Sequence, residues 1–515
     1  MTATLAAPPV SPVPSAAGRP WRERLQPLAG RGGWWATLAV GVFAGLLRFV
    51  RLDLPRGKIF DEIYYSCDAQ NLLRFGVEQS TQSNNSHCVP TGQPGFVVHP
   101  PLGKWLIGAG EKTFGINELG WRFSAAVAGT LTVLVLVRLA RRMTGSTVLG
   151  CLAGVLLSLD GLHFVQSRTS MLDVFLCLFV TASVAALVAD RDAVRRRLAA
   201  APPAALGGAG PRPGLRPWLA AAGVSLGAAV ATKWSGLYYL ALLIPLAYLW
   251  EVGARRAAGI VSPWRATARR SLMPLLGLLI VLPTALYVLS WAGWFVSDNA
   301  WDRHWATAQN ATYGFLPDSL RSWWHYHAEI YGFHSTLAKR HPYQSHPLGW
   351  LLLARPVSYY YPAGITAGRF GCTTPSCARE VLGIGTPAIW WASIPMLLGS
   401  LWLWVSRRDW RGLTVVLLVL AAILPWIPSD LHRRTMFLFY ALPAVPFICL
   451  GLALCAGWAI GGPGASRRRR RIGAAAVGIY VSAVLLNFAY LYPLLAAQTL
   501  PYDRWHARIW FTSWI

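Results

Sequence analysis

Two adjacent carboxylates, Asp61 and Glu62, have the clearest chemical potential in this 515-residue sequence. They stand in the segment Phe-Asp-Glu-Ile-Tyr-Tyr. A positioned carboxylate can take the proton of a hydroxyl group and so act as a general base. Adjacent side chains on a helix point about 100° apart, so we expect one carboxylate to act on a substrate while the other orients it. The alternative is that the pair begins a helix, where acidic side chains stabilise free N–H groups.

Two isolated cations, Arg122 and Lys233, stand at the ends of apolar runs. Arg122 opens one run in Trp-Arg-Phe-Ser-Ala, and Lys233 separates two runs in Ala-Thr-Lys-Trp-Ser-Gly. Ionisable residues at membrane depth are costly and usually functional. Cationic side chains bind phosphate, and a nearby carboxylate can activate a hydroxyl group. The combination predicts an enzyme that uses a lipid phosphate as its leaving group.

Four further ionisable residues are candidates for the surroundings of that site. His99 and Lys104 belong to His-Pro-Pro-Leu-Gly-Lys-Trp, and Arg168 and Asp173 belong to Ser-Arg-Thr-Ser-Met-Leu-Asp. The alternative for Lys104 is a side chain that extends to the membrane interface, and for Arg168 and Asp173 a structural ion pair.

The composition indicates a membrane protein. Hydrophobic residues make up 54% of the chain, charged residues make up 13%, and there are 26 Trp. Such a chain is neither disordered nor a soluble enzyme. The net charge of +26 comes with only 5 Lys among 47 basic residues, many of them in short clusters between apolar runs. That distribution is typical of membrane topology signals and argues against a nucleic-acid partner.

Apolar runs predict an all-α polytopic membrane protein with about 11 transmembrane helices. The predicted spans lie near 34–50, 119–139, 147–164, 170–189, 217–232, 235–252, 273–296, 386–405, 412–428, 435–458 and 473–492. Residues 61–75 and 99–114, in the first outer loop, read as short amphipathic helices at the membrane interface.

The basic residues predict the orientation in the membrane. One side of the predicted topology carries 26 basic and 5 acidic residues, and the other carries 21 basic and 16 acidic. The first side is therefore expected to be cytoplasmic, with the N-terminus inside and the C-terminus outside. The segments 51–118 and 297–385 then lie outside, which places the candidate active site on the extracytoplasmic face.

The predicted domain organisation follows from these spans. A basic, Pro/Ala-rich cytoplasmic tail covers 1–33, and a catalytic module of seven spans covers 34–296. An extracytoplasmic loop covers 297–385, and a four-span module covers 386–515.

The cysteines allow two disulfides in the outer segments. Cys67 with Cys88 and Cys372 with Cys377 are the possible pairs, and the other four cysteines lie in predicted spans as packing residues. No His/Cys spacing is typical of a zinc site, so no metal ligand is predicted. The alternative that Asp61 and Glu62 hold a metal is weakened by the nearby cations and by the absence of an Asp-x-Asp pattern.

In their order, these motifs resemble the polyprenyl-phosphate-mannose protein O-mannosyltransferase family. The resemblance is carried by Phe-Asp-Glu-Ile-Tyr-Tyr, His-Pro-Pro-Leu-Gly-Lys-Trp, Trp-Arg-Phe-Ser-Ala, Ser-Arg-Thr-Ser-Met-Leu-Asp and Ala-Thr-Lys-Trp-Ser-Gly. It extends loosely into the C-terminal part through residues 346–361. The family, glycosyltransferase family 39, has the GT-C membrane fold. The sequence has no inserted β-trefoil repeats, so it is similar to the bacterial branch.

The resemblance implies an activity and roles for particular residues. Mannose would pass from polyprenyl phosphate mannose to Ser or Thr hydroxyls of a polypeptide emerging from the export machinery, at the outer face of the cell membrane and among its lipids. It implies Asp61 as base, Glu62 in support, and Arg122 and Lys233 as phosphate ligands. No cofactor or metal is expected beyond the lipid-linked donor, and single displacement would invert the anomeric centre.

Two rival functions remain open at this stage. A related GT-C enzyme could move another lipid-linked sugar, such as aminoarabinose or arabinose, onto a lipid or glycan. A non-enzymatic transporter is the other class, but transporters tend to show matched repeats, whereas the long outer segments here are unmatched.

Overall fold

The computed structural model describes residues 25, 32–83, 87–310, 312–462 and 464–515. The predicted cytoplasmic tail, 1–33, lies outside these residues except at positions 25, 32 and 33. The basic residues of the tail that contributed to the predicted orientation also lie outside them: Arg19, Arg22, Arg24 and Arg31.

The N-terminal part of the chain is built from helices joined by short turns. In chain order they are α1 Trp34–Phe49, α2 Glu62–Phe75, α3 Leu102–Phe114, α4 Glu118–Thr144, α5 Thr147–Ser158, α6 Gly161–Gln166, α7 Leu172–Ala200, α8 Pro217–Thr232, α9 Gly236–Ala257, α10 Pro263–Leu276 and α11 Leu282–Ser290. A π-helical turn, Gly277–Val281, joins α10 to α11. A short 3₁₀ turn, Pro203–Leu206, lies between α7 and α8.

The C-terminal part continues with shorter helices and further long ones. They are α12 Ala292–Val296, α13 Trp305–Ala308, α14 Asp318–Thr336, α15 Pro387–Trp390, α16 Ser393–Arg407, α17 Trp410–Leu420, α18 Ile427–Leu431, α19 Val445–Ile460, α20 Arg467–Leu495 and α21 Tyr502–His506. The 3₁₀ turns are Pro347–Leu352, Arg369–Gly371, Leu424–Trp426, Leu438–Ala444 and Thr512–Trp514.

Eight helical stretches in the described residues are long and apolar enough to cross a membrane. Three shorter apolar helices, α1, α5 and α8, coincide with three of the predicted spans. Together they fall at the predicted positions and confirm the helical membrane fold, while the exact number of spans stays a prediction. Helix α7 and the stretch Leu438–Ile460 are the most buried, whereas Pro263–Ser290 and Arg467–Leu495 are mostly uncovered by protein.

Three small antiparallel sheets were not predicted. Strand β1 (Gln79–Ser83) pairs with β2 (Cys88–Pro94). Strand β3 (Val357–Tyr360) pairs with β5 (Val381–Gly383), and β4 (Cys377–Ala378) pairs with β6 (Leu500–Pro501). These strands are short, and β1 and β2 are polar or rich in Pro, so they lack the alternating pattern that identifies a half-buried strand in a sequence.

The segments 51–118 and 297–385, which are predicted to lie outside and are called here the first and second outer segments, contain more structure than loops. The first holds α2, the β1–β2 hairpin and α3, so the two short helices predicted there are present. The second holds the 19-residue helix α14 and most of the C-terminal sheets, whereas the sequence predicted only a loop over 297–385. Disulfides join Cys67 to Cys88 and Cys372 to Cys377. The first ties α2 to the hairpin.

Candidate active site

A tight turn delivers Asp61 to the beginning of α2. Phe60, just before it, has a positive φ of 48°, a conformation that costs energy for a residue with a side chain. The Phe60 ring stacks on Tyr359 of β3, with centroids 4.6 Å apart and planes 4° from parallel. The Phe437 and Phe439 rings meet the Phe60 ring edge-on. Aromatic packing from the C-terminal part of the chain therefore holds the turn that presents Asp61.

Glu62 points away from Asp61 and forms a buried ion pair with Arg122. Both side chains are completely buried, and the guanidinium donates two bonds of 2.8 Å, one to each Glu62 oxygen. The Glu62 carboxylate also accepts the backbone N–H groups of Ile59 and Ser170, at 2.9 and 3.0 Å. The other N–H groups of Arg122 donate to the carbonyls of Leu52, Pro55 and Gly57. The pair fastens the turn before Asp61 to α4 and to the turn before α7.

Arg168 performs a similar fastening role at the end of α1. Its guanidinium donates to four backbone carbonyls there, those of Leu47, Arg48, Val50 and Arg51. Unpaired carbonyls at a helix C-terminus are stabilised by a cation. The suggested ion pair between Arg168 and Asp173 is absent from the described ion pairs, because Asp173 is bound to Lys233 instead.

Lys233 occupies the break between α8 and α9. Helix α8 ends at Thr232, and Lys233 has an extended backbone (φ −158°, ψ 135°) before α9 begins at Gly236. Its ammonium donates to both oxygens of Asp173, in the first turn of α7, at 2.8 and 2.9 Å. It also lies 4.7 Å from the ring centroid of Tyr440. The extended break is what turns this side chain towards the cavity described next.

A cavity of about 570 Å³ opens beside Lys233. Its walls come from the α8–α9 break, α14 and the segment before the 3₁₀ turn Leu438–Ala444, with His99 from the first outer segment. Its polar and aromatic lining includes His99, Lys233, Trp234, Tyr238, Tyr331, His334, Trp426, His432, Arg434 and Tyr440. Of the predicted site residues, only His99 and Lys233 line this cavity; the others are not among the lining residues: Asp61, Glu62, Lys104, Arg122, Arg168 and Asp173.

Arg434 is a second cation of this cavity, and it was not among the residues predicted from the sequence. Its Nε donates to the His334 carbonyl at 2.8 Å, while Nη1 is buried without a hydrogen-bond partner in the described residues. Nη2 lies 3.3 Å from His334 Nδ1, which must accept, because Nε2 of that ring donates to the Val98 carbonyl. The signal in the sequence was a basic cluster, 432–434, on the side of the predicted topology that carries fewer cations.

Asp61 carries an electrostatically perturbed carboxylate near this cavity. The surrounding protein raises its pKa to about 6 by disfavouring the charged form, and the positive charge of Lys233 opposes that shift. The negative charge of Asp173 adds to it. In the described part of the chain, the half-buried Asp61 carboxylate forms no hydrogen bond or ion pair, unlike that of Glu62. Its oxygens are thus not engaged by the described residues, and a pKa of about 6 leaves the group mostly charged at neutral pH.

His99 and Lys104 have different surroundings although they are close in sequence. The His99 ring lies 5.3 Å from that of His334, and enclosure together with nearby cations lowers its pKa well below the usual range. His99 is therefore a neutral wall of the cavity. Lys104 is buried in α3, with its ammonium 2.5 Å from Glu78 and 3.6 Å from Asp68. It stabilises the first outer segment and does not line the cavity.

The arrangement gives little support to a metal held by the carboxylate pair. Both oxygens of Glu62 already accept hydrogen bonds, so they have no free direction for a cation beside Asp61. Within the described ranges, no group of three or more His, Cys, Asp or Glu side chains could hold a metal ion. What the site does combine is a free carboxylate, two cations and a partly aromatic cavity, which suits hydroxyl activation next to a phosphate.

Comparisons with known proteins agree on one family. Residues 38–295 match the family described as dolichyl-phosphate-mannose-protein mannosyltransferase, and residues 319–514 match the C-terminal four-transmembrane region of protein O-mannosyltransferases. The polyprenol-phosphate-mannose–protein mannosyltransferase of Mycobacterium tuberculosis (strain CDC 1551 / Oshkosh) is 40% identical over 503 residues, covering 95% of this chain and 93% of the relative. The protein of the same name from Corynebacterium glutamicum is 36% identical, with 93% of each covered.

A solved structure supports the same conclusion at the level of the fold. The Saccharomyces cerevisiae protein O-mannosyltransferase Pmt1-Pmt2 complex bound to the sugar donor is similar, with a TM-score of 0.71 at 15% identity. The match covers 98% of this chain and 94% of that chain. With a membrane fold of this kind and relatives matched over nearly their whole length, the chain belongs to the dolichyl-phosphate-mannose-protein mannosyltransferase family of glycosyltransferases.

Proposed function

We propose that this protein transfers mannose from polyprenyl phosphate mannose to Ser or Thr hydroxyls of a polypeptide. The observation that carries the proposal is the Asp61 carboxylate, unpaired among the described residues and within electrostatic reach of Lys233, which itself lines a cavity together with Arg434. The mycobacterial and corynebacterial relatives are named for the same donor and for a protein acceptor. The competing transfer of another lipid-linked sugar has no comparable observation in its favour.

The donor phosphate is proposed to lie between Lys233 and Arg434. Asp173 balances the charge of Lys233, whereas Arg434 has a buried N–H group without a partner among the described residues. A phosphate oxygen would satisfy that group, because charge-assisted hydrogen bonds to guanidinium are strong. The Trp426, Tyr440 and Tyr238 rings supply apolar walls for the sugar and the first isoprene unit.

A second, apolar cavity provides room for the carrier's tail. It measures about 280 Å³ and lies between α8, α9 and α11, with Trp234 and Leu237 shared with the first cavity. The covering stretch Pro263–Ser290 is itself little buried by protein. A polyprenyl chain lying here would be continuous with a phosphate at Lys233.

The proposed reaction is a single displacement. The acceptor oxygen forms its bond to C1 of mannose as the bond from C1 to the phosphate oxygen breaks, and that electron pair leaves with the phosphate. Asp61 takes the hydroxyl proton, and Lys233 and Arg434 offset the charge that grows on the phosphate. The phosphate is a weak base when it leaves, so no general acid is required. The anomeric centre is inverted.

The roles proposed for Glu62, Arg122, Arg168 and Lys104 are supportive. The geometry of Arg122 favours positioning over the phosphate contact that the resemblance implied, because its donors are already engaged within a fully buried network. Glu62 supports the base by fixing the turn that precedes it.

The proposed orientation places this site outside the cytoplasm, within the cell membrane and facing polypeptides delivered by the export machinery. We expect a reporter that is active only in the cytoplasm to be active when fused after Arg471. Fused after Ile515, it should be silent, since basic residues concentrate on the cytoplasmic side. The opposite pattern would place Asp61 in the cytoplasm and contradict the proposal.

Transfer of labelled mannose is the direct test of the function. Purified protein in lipid should move label from polyprenyl phosphate mannose to a Thr-rich peptide, and the product should carry an α-linkage if the donor is β-linked. Label that enters only lipid or glycan material would contradict the proposal. The same assay gives the KM of the donor and the KM of the acceptor for each variant, so it shows whether Lys233 or Arg434 affects donor use.

Arg434→Met and Lys233→Gln should both weaken donor use. Losing a charged hydrogen bond typically costs about 1.5 to 3 kcal/mol, so the donor KM should rise by roughly tenfold or more in each variant. The KM of the acceptor peptide should change less. The neighbouring exposed cation Arg433, which is not among the cavity's lining residues, provides the matched control as Arg433→Met. Equal effects of Arg433→Met and Arg434→Met would mean that only general surface charge matters.

A further inference from the structure

A second cleft lies on the outer side of α2, separate from the donor cavity. It measures about 420 Å³ and is bounded by Tyr64 and Asp68 of α2, Ser80 of β1, the segment 94–97 and Trp301. We call this space the outer cleft. Its volume is within the range of ligand sites in proteins, and none of its lining residues is shared with the donor cavity.

The outer cleft and the donor cavity are bordered by one strap, the segment 95–99. Val97 lines the outer cleft, while His99 lines the donor cavity. Helix α14 clamps this strap, because Tyr326 bonds the backbone of Val97 through its hydroxyl and His334 donates to the Val98 carbonyl at 2.9 Å. The strap is therefore held in place by α14 and supplies a fixed wall to each space.

Helix α2 connects Asp61 with the outer cleft. Asp61, Tyr65 and Asp68 follow one another at helical spacing, so they lie along one side of α2. The pKa of the Tyr65 hydroxyl is raised well above its usual range by enclosure and by the negative charges of Asp61, Asp173 and, more weakly, Asp68. From Asp61 to Asp68 the helix advances about 10 Å, which about three residues of an extended polypeptide span.

We propose that the acceptor polypeptide lies in the outer cleft as an extended segment. Its target hydroxyl lies at Asp61, and the residue three positions away from the target, its third neighbour, lies between Ser80 and Trp301. This inference rests on the proposed function and adds to it the place where the protein substrate is held. The donor then approaches Asp61 from the side of Lys233, and the acceptor approaches it along α2 from Asp68.

The lining of the outer cleft suits a polypeptide better than a lipid. Tyr64, Phe96 and Trp301 offer aromatic surface, and the Phe96 and Trp301 ring centroids are only 4.7 Å apart. Polar groups of Gln79, Ser80 and Thr81 form the facing wall. Aromatic faces and hydrogen-bonding groups bind extended backbone and small side chains with little demand on sequence.

The charge of the cleft predicts a preference among acceptors. One ammonium, that of Lys104, lies between the two carboxylates of Asp68 and Glu78, so this wall keeps a negative charge. Burial raises the pKa of Asp68 to about 6, which leaves it mostly ionised at neutral pH. Acceptor segments with Lys or Arg near the third neighbour should therefore be favoured over those with Asp or Glu.

Disulfide capture tests the location without requiring transfer. Ser80 is exposed, so Ser80→Cys should form a mixed disulfide with a peptide that carries Cys three residues from its Thr. Thr312→Cys, also exposed in the outer segment but not among the lining residues, is the control. We expect capture by Ser80→Cys to exceed capture by Thr312→Cys at least about fivefold and to be suppressed by excess cysteine-free peptide. Equal capture, or capture that excess peptide does not suppress, would overturn the proposal.

Filling the cleft tests its use in turnover. Ser80→Trp should raise the KM of the acceptor peptide by about tenfold or more and leave the donor KM unchanged. An unchanged acceptor KM in folded, active Ser80→Trp would overturn the proposal, and if this variant does not fold, the capture experiment decides alone. If Ser80→Cys captures the peptide specifically but the wild-type protein transfers no mannose, the proposed function is rejected and the peptide site stands. Transfer without specific capture would reject only the site.

Discussion

Asp61→Asn is expected to reduce mannose transfer at least about a hundredfold while the protein level and donor binding remain near normal. A positioned general base contributes about 10²- to 10⁴-fold in rate, and the amide keeps the shape of the carboxyl group without its basicity. The Asp61 side chain forms no hydrogen bond or ion pair in the described residues, so its replacement by Asn breaks no side-chain contact there. The measurement is turnover of purified variant and wild type at saturating donor and peptide.

The pH dependence of turnover should report the same carboxylate. As the proposed base, Asp61 would act only when deprotonated, and its pKa is raised to about 6. Wild-type activity should therefore be nearly constant above pH 7 and fall about tenfold per unit below pH 6. Lys233 lowers the pKa of Asp61, so Lys233→Gln should move this acid limb to higher pH. A limb that stays in place would mean that another group titrates.

Asp53→Asn is the matched control for the loss of a carboxylate. Asp53 also lies in the first outer segment, but its side chain is 41% exposed and pairs with the exposed Arg56 at 3.1 Å. We expect it to retain most of the wild-type turnover, because such surface pairs contribute little. If Asp61→Asn keeps more than about a tenth of wild-type turnover, Asp61 is not the base.

The sequence could predict the helical membrane fold, because spans of apolar residues follow directly from the thickness of the bilayer. It also singled out Asp61 and Lys233, since a carboxylate in a predicted outer loop and a lone cation between two apolar runs are unusual for their surroundings, and their catalytic roles stay a prediction. The structure brings these two residues and Asp173 into one electrostatic group, with His99 in the adjoining cavity wall.

The partners of the other charged residues could not be predicted in this way. Arg122 and Lys233 look alike in the sequence, as single cations at the ends of apolar runs. Arg122 is engaged by Glu62 and by three carbonyls of a loop whose path depends on tertiary structure. Arg434 could not be identified because counting the basic residues on each side of the membrane assigns a topology but does not show which cation lines a cavity. The contacts of Arg122 with backbone carbonyls leave no pattern in the sequence.

Breaking the Glu62–Arg122 pair is expected to have the largest effect on stability. Both side chains are fully buried, and removing one partner leaves an uncompensated charge, which typically costs roughly 3 to 5 kcal/mol. Arg122→Met should therefore lower the thermal stability of the purified protein strongly. Glu62→Gln keeps one acceptor oxygen, for Arg122 and one backbone N–H group, so it should cost less than Arg122→Met and should reduce turnover less than Asp61→Asn does.

The double variant separates this positioning role from phosphate binding. In Glu62→Gln/Arg122→Met no buried carboxylate is left unpaired, so the combined loss of stability should be smaller than the sum of the two single losses. Arg56→Met provides the exposed control, because its pair with Asp53 should contribute no more than about 1 kcal/mol. The competing role makes a different prediction: if Arg122 binds the donor phosphate, Arg122→Met keeps its stability and raises the donor KM as Lys233→Gln does. A stable Arg122→Met variant with a raised donor KM would therefore restore Arg122 as a phosphate ligand, whereas an unstable one places it with Glu62 in the support that presents Asp61.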